Sequence, residues 1–139
     1  MKKSNTHVRF SVSVPEDLLR FLDETLIARG YASRSEFVRD LIRKEMIEEK
    51  WEKGEEVIGV LIIIYDHHKR GLSDKLIEIQ HNGLYNIISS LHIHLSHDDC
   101  LEVIVIRGKG EEVNKLYREM EGLDGVKFAK MVKVAHLEV

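Results

Sequence analysis

Apolar and polar positions alternate strictly near the start of the chain. In Val8-Arg9-Phe10-Ser11-Val12-Ser13-Val14 the apolar side chains fall on one face, and Arg9, Ser11 and Ser13 on the other. A period of two predicts a strand with one buried face. Pro15 comes next, suited to the start of a helix because its missing N–H is not needed there. Leu18, Leu19, Leu22, Leu26 and Ile27 then recur at helical spacing. Gly30 is placed to close that helix in a left-handed C-cap. Ser33-Arg34-Ser35-Glu36 reads as a capping box opening a second helix, whose inner face is Phe37, Val38, Leu41, Ile42 and Met46.

The first fifty residues therefore read strand–helix–helix. A lone strand cannot satisfy its own backbone, and two short helices cannot cover its apolar face. The simplest solution is a dimer in which two such strands pair antiparallel, a ribbon-helix-helix arrangement. It places Arg9, Ser11 and Ser13 of both chains on one exposed ribbon face. The charged stretch Glu48 to Glu56 reads as the end of the second helix and a linker. Beyond it the pattern changes. Val57–Tyr65 is apolar on both faces, which predicts a central strand; Leu72, Leu76, Ile79 and Gly83 fit a helix. Tyr85–Leu95 and Cys100–Arg107 read as strands, Val113, Leu116, Tyr117 and Met120 as a helix, and Val126–Leu137 as a last strand. The order β-α-β-β-α-β is the ferredoxin-like unit. The expected class is α+β, with a ribbon-helix-helix domain over residues 1–50 and a ferredoxin-like domain over 51–139.

Composition narrows the setting. The chain has 139 residues, 32% of them charged, and a net charge of −3. The average hides an asymmetry: residues 1–14 carry Lys2, Lys3 and Arg9 and no acid. A single cysteine excludes an internal disulfide framework, so a reducing cytoplasm is expected. No apolar signal core follows the basic start, and the longest apolar run is far too short to span a bilayer. No Ser-His-Asp order, Walker loop or zincin motif is found, so no enzyme is expected.

The chemistry gathers in LHIHLSHDDC, residues 91–100. If residues 85–95 and 100–107 form a hairpin with its loop at 95–99, His94 and Cys100 stand opposite each other. Opposed residues point to the same side, with Cβ atoms roughly 5 Å apart. His92 lies one pleat repeat away on that side. H-x-H on a strand also occurs as two half-exposed histidines, and a lone cysteine as a small core residue; the opposed register favours a metal site. One thiolate with imidazoles suits Zn, Cu or Ni rather than Mg or Ca. Three ligands on one sheet face lie closer to a plane than to the tetrahedron of structural zinc, which points to Ni(II) or Cu(II). His81, near the end of the preceding helix, is the best fourth ligand. Gln80 and Glu102 are candidate hydrogen-bond partners for the ligating histidines. His67, His68 and His97 are candidates for weak binding of extra metal but read mainly as loop histidines, and Trp51 reads as packing for the linker.

Over nearly its whole length the chain resembles the nickel-responsive repressors of the NikR family. The motifs that carry the resemblance are RGYASRSEFVRDLIR at 29–43 and QHNGLYNIISSLHIHLSHDDCLEV at 80–103. The resemblance implies an ACT-like form of the ferredoxin fold and a square-planar Ni2+ site. Three ligands, His92, His94 and Cys100, would come from one subunit and His81 from a neighbour. It also implies DNA-reading side chains at Arg9, Ser11 and Ser13, where threonine is common in place of serine. A homotetramer built as a dimer of dimers follows, bound to a palindromic double-stranded operator and repressing nickel uptake genes. The resemblance suggests a second, hard-cation site involving Glu36 and Asp40, although Lys44 and the capping box also offer these acids local partners. The alternative reading is a ribbon-helix-helix regulator whose ACT-like domain senses a small molecule or a different metal.

Overall fold

The structure is a computed structural model and describes residues 6–82 and 86–138. The chain forms two compact units, Met1–Met46 with Leu137–Val139, and Ile47–His136.

In the first unit, residues 6–15 take no regular secondary structure within the single chain. The strand expected over Val8–Val14 has no partner there, and Val8, Phe10 and Val12 are 84%, 70% and 69% exposed. Helix α1 (Glu16–Ala28) begins one residue later than expected, with Pro15 at its N-cap and no side-chain cap from Ser13. It ends as the sequence requires. Gly30 sits at φ +76°, its N–H donates to the Ile27 carbonyl, and the Tyr31 N–H donates to the Leu26 carbonyl, which together make a Schellman cap. Ser33 Oγ accepts the Glu36 N–H at 3.1 Å, opening helix α2 (Arg34–Glu52). Leu26 and Phe37 are buried, and the Phe37 ring packs at 4.8 Å from that of Tyr31.

The second unit is a four-stranded antiparallel sheet of order β2-β3-β1-β4. Its elements are β1 (Glu56–Asp66), α3 (Leu72–His81), β2 (Asn86–His94), β3 (Asp99–Lys109), α4 (Gly110–Glu121) and β4 (Val126–Val134). The strand apolar on both faces, β1, lies in the middle. Gly83 and Tyr85, expected at the ends of α3 and β2, lie outside the described residues. The last strand stops at Val134 rather than Leu137.

The two faces of the sheet differ. One carries Leu61, Ile63 and Tyr65 of β1 with Cys100, Ile104 and Ile106 of β3, buried with Leu72 and Leu76 of α3 and Val113, Leu116 and Met120 of α4. Trp51, in the last turn of α2, is 3% exposed in this core, and its Nε1–H donates to the Val134 carbonyl at 3.2 Å. The expected linker thus begins only after Trp51, at Gly54 with φ +70°. The other face carries Leu91, Ile93, Phe128 and Val132, all exposed in the single chain. Among the described residues no helix is long and apolar enough to cross a membrane.

Candidate metal centre

The β2–β3 register places His94 opposite Cys100 and His92 opposite Glu102. A hairpin loop of Leu95 to Asp98 sets this register. Leu95 and Ser96 donate their N–H groups to the Asp99 carbonyl, and Ser96 Oγ accepts the N–H groups of Asp98 and Asp99. Cys100 Sγ lies 3.5 Å from His94 Nδ1. The sulfur is fully buried, at the edge of the helix-covered core, while His94 is exposed. Burial pushes the Cys100 thiol up from its ordinary value, and the carboxylates of Asp99 and Glu102 push it the same way. Without a cation the sulfur is therefore neutral near pH 7; with one it becomes a strong ligand.

The structure brings a further candidate ligand to this pair, one that the sequence suggests mainly as a loop histidine. His67 follows β1, its N–H donates to the Asp98 carbonyl at 3.0 Å, and one ring nitrogen meets His94 and Cys100 in a single cluster. The ligand atoms of His67, His94 and Cys100 lie within 4.8 Å of one another. Nδ1 of His67 is buried with no hydrogen-bond partner. A signal was present in the sequence. Tyr65 faces Cys100 across the β1–β3 pair, and His67 is in phase with Tyr65, so continuing the alternation two residues past the strand brings it to the hairpin mouth.

The other predicted residues fall as follows. The His92 ring lies 5.4 Å from that of His94 and 6.1 Å from that of Tyr65, on the exposed flank of the same face. Glu102 is buried, with its charge near the Tyr65 hydroxyl. His81 is the exposed last residue of α3, with Gln80 half-buried before it, and His81 joins neither metal-type cluster among the described residues. Arg9, Ser11 and Ser13 are exposed. Asp40 accepts a hydrogen bond from the Tyr31 hydroxyl and pairs with Lys44 at 3.0 Å, while Glu36 occupies the position the capping box gave it. These contacts pull the Asp40 carboxyl below its usual range, the Tyr31 hydrogen bond most of all.

A thiol, imidazoles and an orphaned buried ring nitrogen at one hairpin mouth suit a borderline transition ion such as nickel.

Comparison with known proteins agrees with this chemistry. Residues 58–134 match the NikR C-terminal nickel binding domain, and residues 8–49 match the copG family of ribbon-helix-helix proteins. A protein of Geobacter sulfurreducens named as a nickel-responsive regulator is 50% identical over 126 residues, covering 90% of this chain and 91% of that one. Its counterpart in Pelobacter propionicus is 47% identical, covering 92% and 93%, and one in Helicobacter pylori strain P12 is 44% identical, covering 98% and 95%. Among solved structures, the ACT domain of a GTP pyrophosphokinase from Chlorobium tepidum superposes with TM-score 0.50 over 55% of this chain and 99% of that one, at 12% identity. That likeness fits the second unit as an ACT-like fold. By domain composition and by identity along nearly its whole length, the chain belongs to the NikR family of nickel-responsive, ribbon-helix-helix regulators.

Proposed function

We propose that this protein is a cytoplasmic nickel-dependent repressor of nickel uptake genes, acting by binding rather than catalysis. Residues 1–50 form the DNA-binding half and residues 51–139 the metal-sensing half. The observation that carries the reading is the buried Cys100 thiol set 3.5 Å from the exposed His94 ring. The ion is held by His92, His94 and Cys100 of one protomer and by His81 of another. His92 is preferred to His67 as the third ligand because it lies on the open flank, where a side chain from a second copy can reach the same ion. The His67 Nδ1 is closed off from solvent. A bound nickel ion supplies a cross-link between the hairpin mouth and a neighbouring copy.

The chain's own residues do the rest. The open apolar segment Val8–Val14 pairs with its equivalent in a second copy, and the ribbon so formed presents Arg9, Ser11 and Ser13 to base edges. The exposed sheet face of Leu91, Ile93, Phe128 and Val132 joins two such dimers into a tetramer. Two ribbons on one tetramer call for a palindromic operator with separated half-sites. Ordering of the segment around His81 on metal binding favours the DNA-competent form by population shift.

Absorption spectroscopy during nickel titration tests the reading. The wild type should develop a thiolate-to-nickel charge-transfer band of planar type, complete at one ion per chain. Cys100→Ala and His92→Ala should lose it, and His67→Ala should keep it. Loss in His67→Ala with retention in His92→Ala would move the ligand set inward. A Cys100→Ala variant that still binds operator in response to nickel would sink the sensor reading.

A further inference from the structure

Helix α2 contributes to both units: residues 34–46 belong to the first and residues 47–52 to the second. Its last turn is fastened to the sheet by more than apolar packing. Trp51 is 3% exposed, and its Nε1–H donates to the carbonyl of Val134, the last residue of β4, at 3.2 Å. A buried indole N–H needs such a partner, so the ring has one seat rather than a range of them. Lys133, next to Val134, sets its Nζ 5.7 Å from the centre of the same ring and 2.9 Å from Glu48 Oε2 on the preceding turn of α2.

Two glycines make room for this turn. A Cβ on Gly59 of β1 would lie 2.6 Å from Val113 Cγ1 and 3.4 Å from Trp51 Cη2, and Gly110 lets the Trp51 backbone reach the start of α4. Gly59 also begins a buried row. Gly59, Leu61, Ile63 and Tyr65 alternate onto one face of β1, and Tyr65 stands opposite Cys100. Trp51 and Cys100 therefore lie at opposite ends of one packed core, joined by side chains that are almost wholly buried. A protein core is packed too densely to absorb a displacement, so it passes one on.

We propose that Trp51 is the positioning residue that carries the nickel state of the sheet into helix α2, and through that helix into the DNA-binding half. The inference rests on the nickel-dependent regulator reading given above. Trp51 is none of the proposed ligands or base-reading residues, so its effect falls on the link between the two sites and not on either site. A residue that only held the fold together would change stability and both binding events. A coupling residue changes the gain in operator affinity that nickel brings.

The experiment measures operator affinity of the full chain with and without one equivalent of nickel, beside the nickel absorption titration. Trp51→Leu keeps the core apolar and removes the indole ring with its N–H. It should bind one nickel ion per chain with the wild-type band, and its nickel-induced gain in operator affinity should fall by about tenfold. Trp51→Phe, which restores an aromatic ring, should recover part of that gain. Lys133→Gln, half-exposed at the outer end of the same contact, should lose part of it, and reads the link if Trp51→Leu does not fold. A full wild-type gain in Trp51→Leu, or in Lys133→Gln where the leucine variant does not fold, overturns the proposal. Loss of the nickel band together with the gain makes the residue a structural one and overturns it as well. Trp51 is the only tryptophan in the chain, so its emission reports the seat directly. The emission maximum should stay in the buried-indole range, with slow quenching by iodide, when nickel and operator bind. A red shift on operator binding would mean that the seat opens and carries nothing. A wild type with no nickel gain would sink the regulator reading along with this one, whereas a gain that persists in the variants sinks this one alone.

Discussion

Cys100 and His94 face each other across the mouth of the β2–β3 hairpin, with a buried sulfur 3.5 Å from a ring nitrogen on an open flank. The contact joins the hydrophobic core to the surface through one sulfur and one ring nitrogen. Metal chemistry at this point is therefore linked to the protonation of a core residue.

That linkage sets an acid dependence. Burial holds the Cys100 thiol above its ordinary value of 9.0, so each ion bound near neutrality displaces a proton from sulfur. Nickel affinity should rise with pH by about tenfold per unit from the thiol alone, with no plateau below pH 9. Dissociation constants measured with a competing chelator across pH 6.5 to 8.5 check this. A flat profile would mean that the sulfur is not a ligand.

Stability of the metal-free protein should change in the opposite direction at high pH. Tyr65 is pushed up to about 12, chiefly by burial and then by the Glu102 charge, from an ordinary phenol value of 10.0. A group raised in the folded state stabilises fully below its unfolded value, and that contribution disappears as pH rises through the folded one. The window for Tyr65 is thus pH 10 to 12, and Cys100 adds a loss of the same sign starting near 9. Urea midpoints should fall across this range, and less steeply in Tyr65→Phe.

Gly110 allows α4 to begin directly against the end of α2. A Cβ at this position would lie 2.6 Å from the Trp51 carbonyl oxygen, which is backbone and cannot turn aside. Gly110→Ala should destabilise the protein by about 1–3 kcal/mol through overpacking, read as a lowered midpoint of thermal unfolding. Nickel stoichiometry should stay the same, because the hairpin mouth is not touched.

The open face of the sheet predicts an assembly defect. Leu91 is 56% and Ile93 41% exposed on the side of β2 away from the ligands. For the proposed tetramer, Leu91→Asp with Ile93→Asp should shift the sedimenting species to a dimer, since the proposed ribbon pairing does not use these residues. An unchanged tetramer would place the interface elsewhere.

Much of this architecture was legible in the sequence because its cues were local. The glycine at 30, the serine at 33 and the doubly apolar run of β1 each specify their own backbone, and the structure has each in the expected role. The His94–Cys100 opposition was equally legible, because a short loop and a period of two leave little freedom in a hairpin. The strand expected over Val8–Val14 differs: residues 6–15 take no regular secondary structure in the single chain, so alternation by itself does not make a strand. His67 reads mainly as a loop histidine for a related reason. It lies outside the hairpin, and its approach to Cys100 depends on the pairing of β1 with β3, a contact between residues far apart in sequence. Helix α1 starts one residue later than its pattern suggests because Pro15 serves as the cap itself.

The burial of Cys100 has a chemical consequence of its own. Peroxides and alkylating reagents attack thiolate, and a sulfur that is both enclosed and kept protonated offers them very little. With Cys100 in the proposed ligand set, the metal-free protein would keep its sulfur donor through an oxidising episode.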